Sequence, residues 1–148
     1  MHMYRNVKKY SINKGVEIMK NWFYFIVGLI GVFSAVTHTM DGLATELPAL
    51  NRSNLAYINQ TVFAFNYHIV AADHLGLGIM LIFMAFKKNM AIVKSAAWTA
   101  IAIMLARAVI CIITVFATGN AGTFWIPAIA NIICVILLLL GSRVKDKS

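Results

Sequence analysis

Long apolar stretches alternate with short polar connections along this chain, and the alternation predicts its elements. Helices are expected over roughly Asn21–Thr45, Thr61–Phe86, Ser95–Thr118 and Thr123–Gly141. Each has about the 20 residues needed to cross a hydrocarbon core of about 30 Å. Only helices and closed barrels can cross lipid, because every backbone polar group there must find an internal partner. Runs this long and continuous are too extended for barrel strands, so helices win. Pro48 marks the end of the first helical region, since proline has no N–H for the ladder. Gly119-Asn120 is a turn signal between the third and fourth helices. Pro127 falls in the first turn or so of the fourth, where proline is tolerated. The expected fold is all-α: a polytopic membrane protein with four transmembrane helices in an antiparallel bundle. Residues 1–20 read as a basic mobile arm without apolar periodicity, and residues 142–148 as a basic tail.

Composition strengthens the membrane reading. Hydrophobic residues make up 61% of the 148 and charged residues 12%, against about 45–50% and about 25% in ordinary soluble domains. The net charge of +8 would suit nucleic acid, but its distribution says otherwise. Arg5, Lys8, Lys9, Lys14 and Lys20 precede the first helix. Lys87, Lys88 and Lys94 separate the second from the third, and Arg143, Lys145 and Lys147 follow the fourth. The connections on the opposite side carry only Arg52. Positive charge marks the cytoplasmic side, so both termini are expected inside. The basic residues then meet anionic lipid, and nucleic acid is set aside as a partner. Trp22, Tyr24 and Trp98 fall at the inner interface and Trp125 at the outer, as an aromatic belt would. The expected location is the bacterial inner (cytoplasmic) membrane.

Other local signals change little. Met19-Lys20 followed by an apolar run resembles a signal peptide, with small residues near Ser34-Ala35, but the polar pattern beyond suggests a retained helix. Met19 is an alternative start. Asn51 and Asn59 begin sequons of a common pattern. Cys111 and Cys134 match neither a zinc motif nor a disulfide framework.

Polar residues inside the apolar helices carry the functional information. At about 100° per residue, Ser34, His38, Asp41 and Thr45 form one stripe on the first helix. Gly31 and Ala35 lie beside it at a spacing that admits another helix. The second helix carries Asn66 and Asp73 on one face, and Tyr67, Ala71, His74 and Gly78 on another. His68 lies on a third side. A helix polar on several sides should be enclosed, because polar groups facing lipid are costly. It is therefore expected at the centre of the bundle, with Gly76 and Gly78 allowing close packing. On the third helix Arg107, Cys111, Thr114 and Thr118 follow one face. On the fourth Asn131 and Cys134 do so.

Depth pairs some of these residues. Asp73 and Arg107 lie roughly 18 and 16 Å below the outer ends of their helices. An unpaired arginine there would be expensive, and Asp73 is the acid at its level. His74 and Asn131 are near enough in depth to complete this layer. His38 and His68 form a shallower one.

Several functions remain open. Asp73 and Arg107 suit a structural ion pair, a proton relay or a substrate counter-ion. His38 and His68 suit packing histidines or two axial ligands of a haem b. With Asp41 they could hold a non-haem metal ion. No acid/base dyad, nucleophile constellation or phosphate-binding glycine loop occurs, which points away from an enzyme. Four short spans, both ends inside and the HTMD at residues 38–41 closing the first helix's polar stripe resemble small DoxX-like integral membrane proteins. That resemblance covers the layout of about residues 21–141. It implies association with membrane redox systems as a partner subunit. The lead expectation is a small binding or accessory subunit with a polar cavity lined by His38, Asp41, His68, Asp73, His74, Arg107 and Asn131. It would work with a membrane protein partner or as a homo-oligomer. The alternatives are a haem b electron carrier and a small proton-coupled transporter using Asp73 and Arg107.

Overall fold

The structure is a computed structural model that describes residues 21–119 and 121–143. The expected basic arm, the tail beyond Arg143 and Asn120 of the turn signal lie outside the described residues. Helix α1 covers Trp22–Asp41, followed by a π-helical segment Gly42–Glu46 and the short α2 Leu47–Asn51. Then come α3 Tyr57–Phe86, α4 Met90–Thr118 and α5 Ala121–Ser142. No strand occurs among the described residues. Four helical stretches are long and apolar enough to cross a membrane: Trp22–Asn51, Tyr57–Phe86, Met90–Thr118 and Phe124–Ser142. The chain is all-helical, with the makings of an integral membrane protein.

The ends of the elements differ from the expected ones for local reasons. Hydropathy marks where a helix is apolar, whereas capping and backbone bonds decide where it starts. Thus α4 begins at Met90 rather than Ser95, because the Asn89 side chain accepts the N–H groups of Ala91 and Ile92. Helix α3 begins at Tyr57 rather than Thr61 and includes polar residues. Pro48 does not end the first span. The N–H of Leu47 reaches back to the carbonyl of Gly42, a five-residue step that widens the turn. Pro48 then falls in the first turn of α2, where no N–H is required. Gly119 closes α4 in the left-handed conformation with φ of 68°, as the turn signal predicts. Pro127 lies inside α5, deeper than the first turn.

Helix α1 packs most extensively on α3, and α4 on α5; α1 also meets α5, while α3 and α4 touch sparsely. The α1–α3 seam is built on glycine. A Cβ at Gly28 would lie 2.8 Å from the carbonyl oxygen of Gly78, and one at Gly31 3.0 Å from the Gly78 Cα. Backbone therefore meets backbone, which only hydrogen side chains permit. Gly42 is buried against the ring of Tyr67. Gly76, expected to share this role, faces open space instead. It lies one-half turn from Gly78, on the side away from α1.

The main apolar cluster gathers at one end of the molecule. It joins Tyr24 and Val27 of α1, Leu81 and Ala85 of α3, Val93 to Met104 along α4, and Cys134, Val135 and Leu138 of α5. Tyr24 is fully buried and belongs to this core, not to an interfacial belt. Trp22, Trp98 and Trp125 are exposed. Asn21 ties this end together. Its backbone N–H bonds the carbonyl of Ala85 at 3.1 Å, its side-chain amide donates to the carbonyl of Gly141 at 2.8 Å, and its side-chain oxygen caps α1 at Tyr24. Toward the other end burial falls mainly on small residues, Ala35, Ala71, Ala108 and Ala128.

Helix α3 is not enclosed within this chain. Its apolar window is 22% buried, against 28% for each of the other spans. The reason is the sparse α3–α4 contact: α3 has one close neighbour, α1, and the remainder of its circumference stays open.

Candidate functional site

The polar residues run from the middle of the molecule to the end opposite the apolar core. Asp73 of α3 and Arg107 of α4 form an ion pair through Arg107 Nη2 and Asp73 Oδ2. The arginine side chain is 19% exposed and the aspartate 46%, so the pair lies on an open flank. It is a contact between two helices that otherwise barely meet. Each partner supplies the countercharge that keeps the other tolerable at this depth.

His38 has different neighbours from the expected ones. Its ring stacks on Tyr67 with centroids 3.9 Å apart and planes 9° from parallel. The Tyr67 hydroxyl donates to the His38 backbone carbonyl at 3.0 Å. His74 is the nearest second imidazole, with ring centroids 6.4 Å from His38. Tyr67 and His74 are seven residues apart and share the face of α3 that meets α1. His68 is turned about 100° from Tyr67 and is exposed. The structure thus brings His38 to His74 and does not bring it to His68. Among the described residues, no group of three or more His, Cys, Asp or Glu is placed to hold a metal ion.

The remaining residues fall around this pair of contacts. Asp41 is exposed and accepts a 2.9 Å bond from the Thr45 hydroxyl. Its charge and that of Glu46 act on the Tyr67 phenol. His74 Nδ1 bonds the carbonyl of Val70 at 2.7 Å. A carbonyl only accepts, so Nδ1 carries a proton and Nε2 is left as the open nitrogen. His74 lies within electrostatic reach of His38, Asp73 and Arg107. Asn131 turns back on its own helix, donating to the carbonyl of Pro127 at 2.8 Å. One nitrogen stands out: His38 Nε2 is buried and has no hydrogen-bond partner.

Tyr67 and Glu46 are the site residues that sequence reasoning left outside its candidate set. Tyr67 shares the His74 face of α3, a signal present in the spacing. Glu46 is the last residue of the π-helical segment. Comparison with protein-family models, with curated proteins and with solved structures yields no match.

Proposed function

We propose that this chain is a small accessory or binding subunit of a membrane complex, inert as a catalyst alone. The observation that supports it is the Asp73–Arg107 pair on an open flank. A charged pair facing lipid is costly. A pair at the margin of an unfilled α3–α4 contact is better explained if another transmembrane segment completes its cover. Exposed Asn66 and His68 on α3 point the same way. The DoxX-like layout suggests a redox system as the setting. In this reading the helices form an antiparallel bundle with both termini cytoplasmic, in a bacterial inner membrane. The core end then faces the cytoplasm, and the Asp41 end faces outward.

The carrier reading is weaker. It needs His38 and His68 to face one another across a haem, and His38 is stacked on Tyr67 instead.

The test is the mass and spectrum of the full chain extracted from its own membrane in mild detergent. A stoichiometric complex larger than the monomer, diminished by Asp73→Asn, supports the proposal. A discrete monomer with an intrinsic Soret band overturns it in favour of the carrier.

A further inference from the structure

We infer that the α3–α4 flank is an interface between two copies of this chain, with Arg107 of each copy bonding a carboxylate oxygen of Asp73 in the other. The inference rests on the reading that another transmembrane segment covers this flank, and it names that segment.

The ion pair leaves most of its hydrogen-bonding capacity open. Arg107 meets Asp73 through one nitrogen and one oxygen. A guanidinium carries five N–H donors, and a carboxylate has two acceptor oxygens. Among the described residues, the other donors of Arg107 and the Oδ1 of Asp73 make no hydrogen bond. The buried side-chain polar atoms without a partner are the Tyr24 hydroxyl and His38 Nε2, so the open guanidinium donors are not enclosed. Water would satisfy such groups at the surface of a soluble protein, and hydrocarbon cannot. Asn66, seven residues outward on the same face of α3, is also exposed, and its amide makes no hydrogen bond among the described residues.

The pattern of open groups selects the occupant. Asp73 and Arg107 cancel, so a partner of net charge gains nothing here. What remains is a set of donors beside an acceptor, which is the pattern of the pair itself. A second copy inserted in the same direction and turned about an axis along the membrane normal presents that pattern reversed. Each residue keeps its depth, while the direction from α3 to α4 inverts, so Asp73 of one copy faces Arg107 of the other. Two pairs become a closed cluster of four alternating charges, in which each guanidinium spans two carboxylates. The same rotation lays α4 of one copy on α3 of the other, covering the side of α3 that its own α4 barely touches. Val70, one turn from Asp73, is 41% exposed, and Ile110, one turn from Arg107, is 62% exposed. They supply the apolar part of the contact.

Full-length protein, purified alone and reconstituted in phosphatidylcholine–phosphatidylglycerol vesicles, tests this through Förster transfer between differently labelled copies. Wild-type copies should pair. Asp73→Arg combined with Arg107→Asp reverses the ion pair but keeps it within each copy, so this variant should fold and pair with itself. Mixed with wild type it sets like charges together, and pairing should fall by more than about tenfold. Asp73→Asn and Arg107→Gln each remove one charge. Those two variants should pair with one another more than about tenfold better than either pairs with itself. In a background of Cys111→Ala and Cys134→Ala, a cysteine at position 70 of one copy should join a cysteine at position 110 of the other through a short bifunctional reagent. A cysteine at position 116, on the opposite side of α4, should join neither. Wild type that stays monomeric as it is concentrated in the vesicles overturns the inference. So does a reversed variant that pairs with wild type as well as with itself, or crosslinking through position 116. If the purified chain is monomeric while membrane extracts hold a different protein on this flank, the second copy is refuted and the accessory-subunit reading stands; a monomer in both refutes both.

Discussion

Replacing Gly78 and Gly76 in turn by alanine probes whether the α1–α3 seam is a backbone contact. At Gly78 a Cβ would stand 2.7 Å from the Gly28 carbonyl oxygen and 2.7 Å from the Val32 nitrogen. Both are main-chain atoms, so neither can swing aside. Ordinary contact begins at 3.4 Å, and the helices must part by the difference, about 0.7 Å. A gap of about 0.5–1 Å forfeits a quarter to a half of each contact's dispersion energy of about 0.1–0.2 kcal/mol. Over some 40 atom pairs, about those of one buried leucine, the loss is about 2 kcal/mol. This falls in the range of about 1–3 kcal/mol for overpacking. Alanine returns up to about 1 kcal/mol of helix propensity, which leaves Gly78→Ala destabilised by about 1 kcal/mol. A methyl group at Gly76 would meet nothing within 4 Å. There the propensity gain stands alone, and Gly76→Ala should be stabilised by up to about 1 kcal/mol. Reversible unfolding in detergent, followed by circular dichroism, measures both. If the two variants shift in the same direction, or differ by less than about 0.5 kcal/mol, the seam is not packed backbone to backbone.

Other expectations follow from single contacts. Asp73→Asn should destabilise the fold by leaving Arg107 uncompensated, by less than the about 3–5 kcal/mol of a fully buried pair because the Asp73 side chain is 46% exposed, and combining it with Arg107→Gln should recover part of the loss; a double-mutant cycle with simple additivity would refute the pairing. Tyr24→Phe removes a buried hydroxyl that has no partner, so thermal unfolding should show it neutral or stabilised by about 1 kcal/mol. Cysteines at positions 38 and 74 should join through a short bifunctional reagent, and cysteines at 38 and 68 should not; the reverse result would mean that α3 is rotated about its axis. Reporter fusions after Lys94 and after Ser148 should both read as cytoplasmic, and an external readout for either would overturn the orientation.

The Asp73–Arg107 contact was legible in the sequence because depth in a helix is simple arithmetic and a membrane leaves a buried charge few choices. The number of spans was legible for the same reason: lipid imposes length and hydropathy directly. Rotation about the helix axis was not. His38 could be assigned a depth, but whether it meets His68 or His74 depends on which face of α3 lies against α1. That face is chosen by Gly28, Gly31 and Gly78, whose effect is the absence of a side chain, a signal shared by Gly76, which packs against nothing. Tyr24 misled for a related reason. An aromatic near a span's end suits an interface, and only the neighbours Leu81, Leu138 and Val27 turn it inward. The π turn was invisible because it arises from one shifted backbone bond at Leu47, for which residue type gives no cue.

Asn21 carries a consequence for how the protein is made. Its side chain donates to Gly141, 120 residues away. During synthesis the first span enters the bilayer long before that acceptor exists. Until α5 arrives, the Asn21 amide must stay hydrated at the surface or be held by the insertion machinery, since burying it unpaired would cost about 1–3 kcal/mol. The junction therefore closes last, and a chain that stalls before its final helix holds α1 through α3 alone, with the Asn21 side-chain amide unpaired.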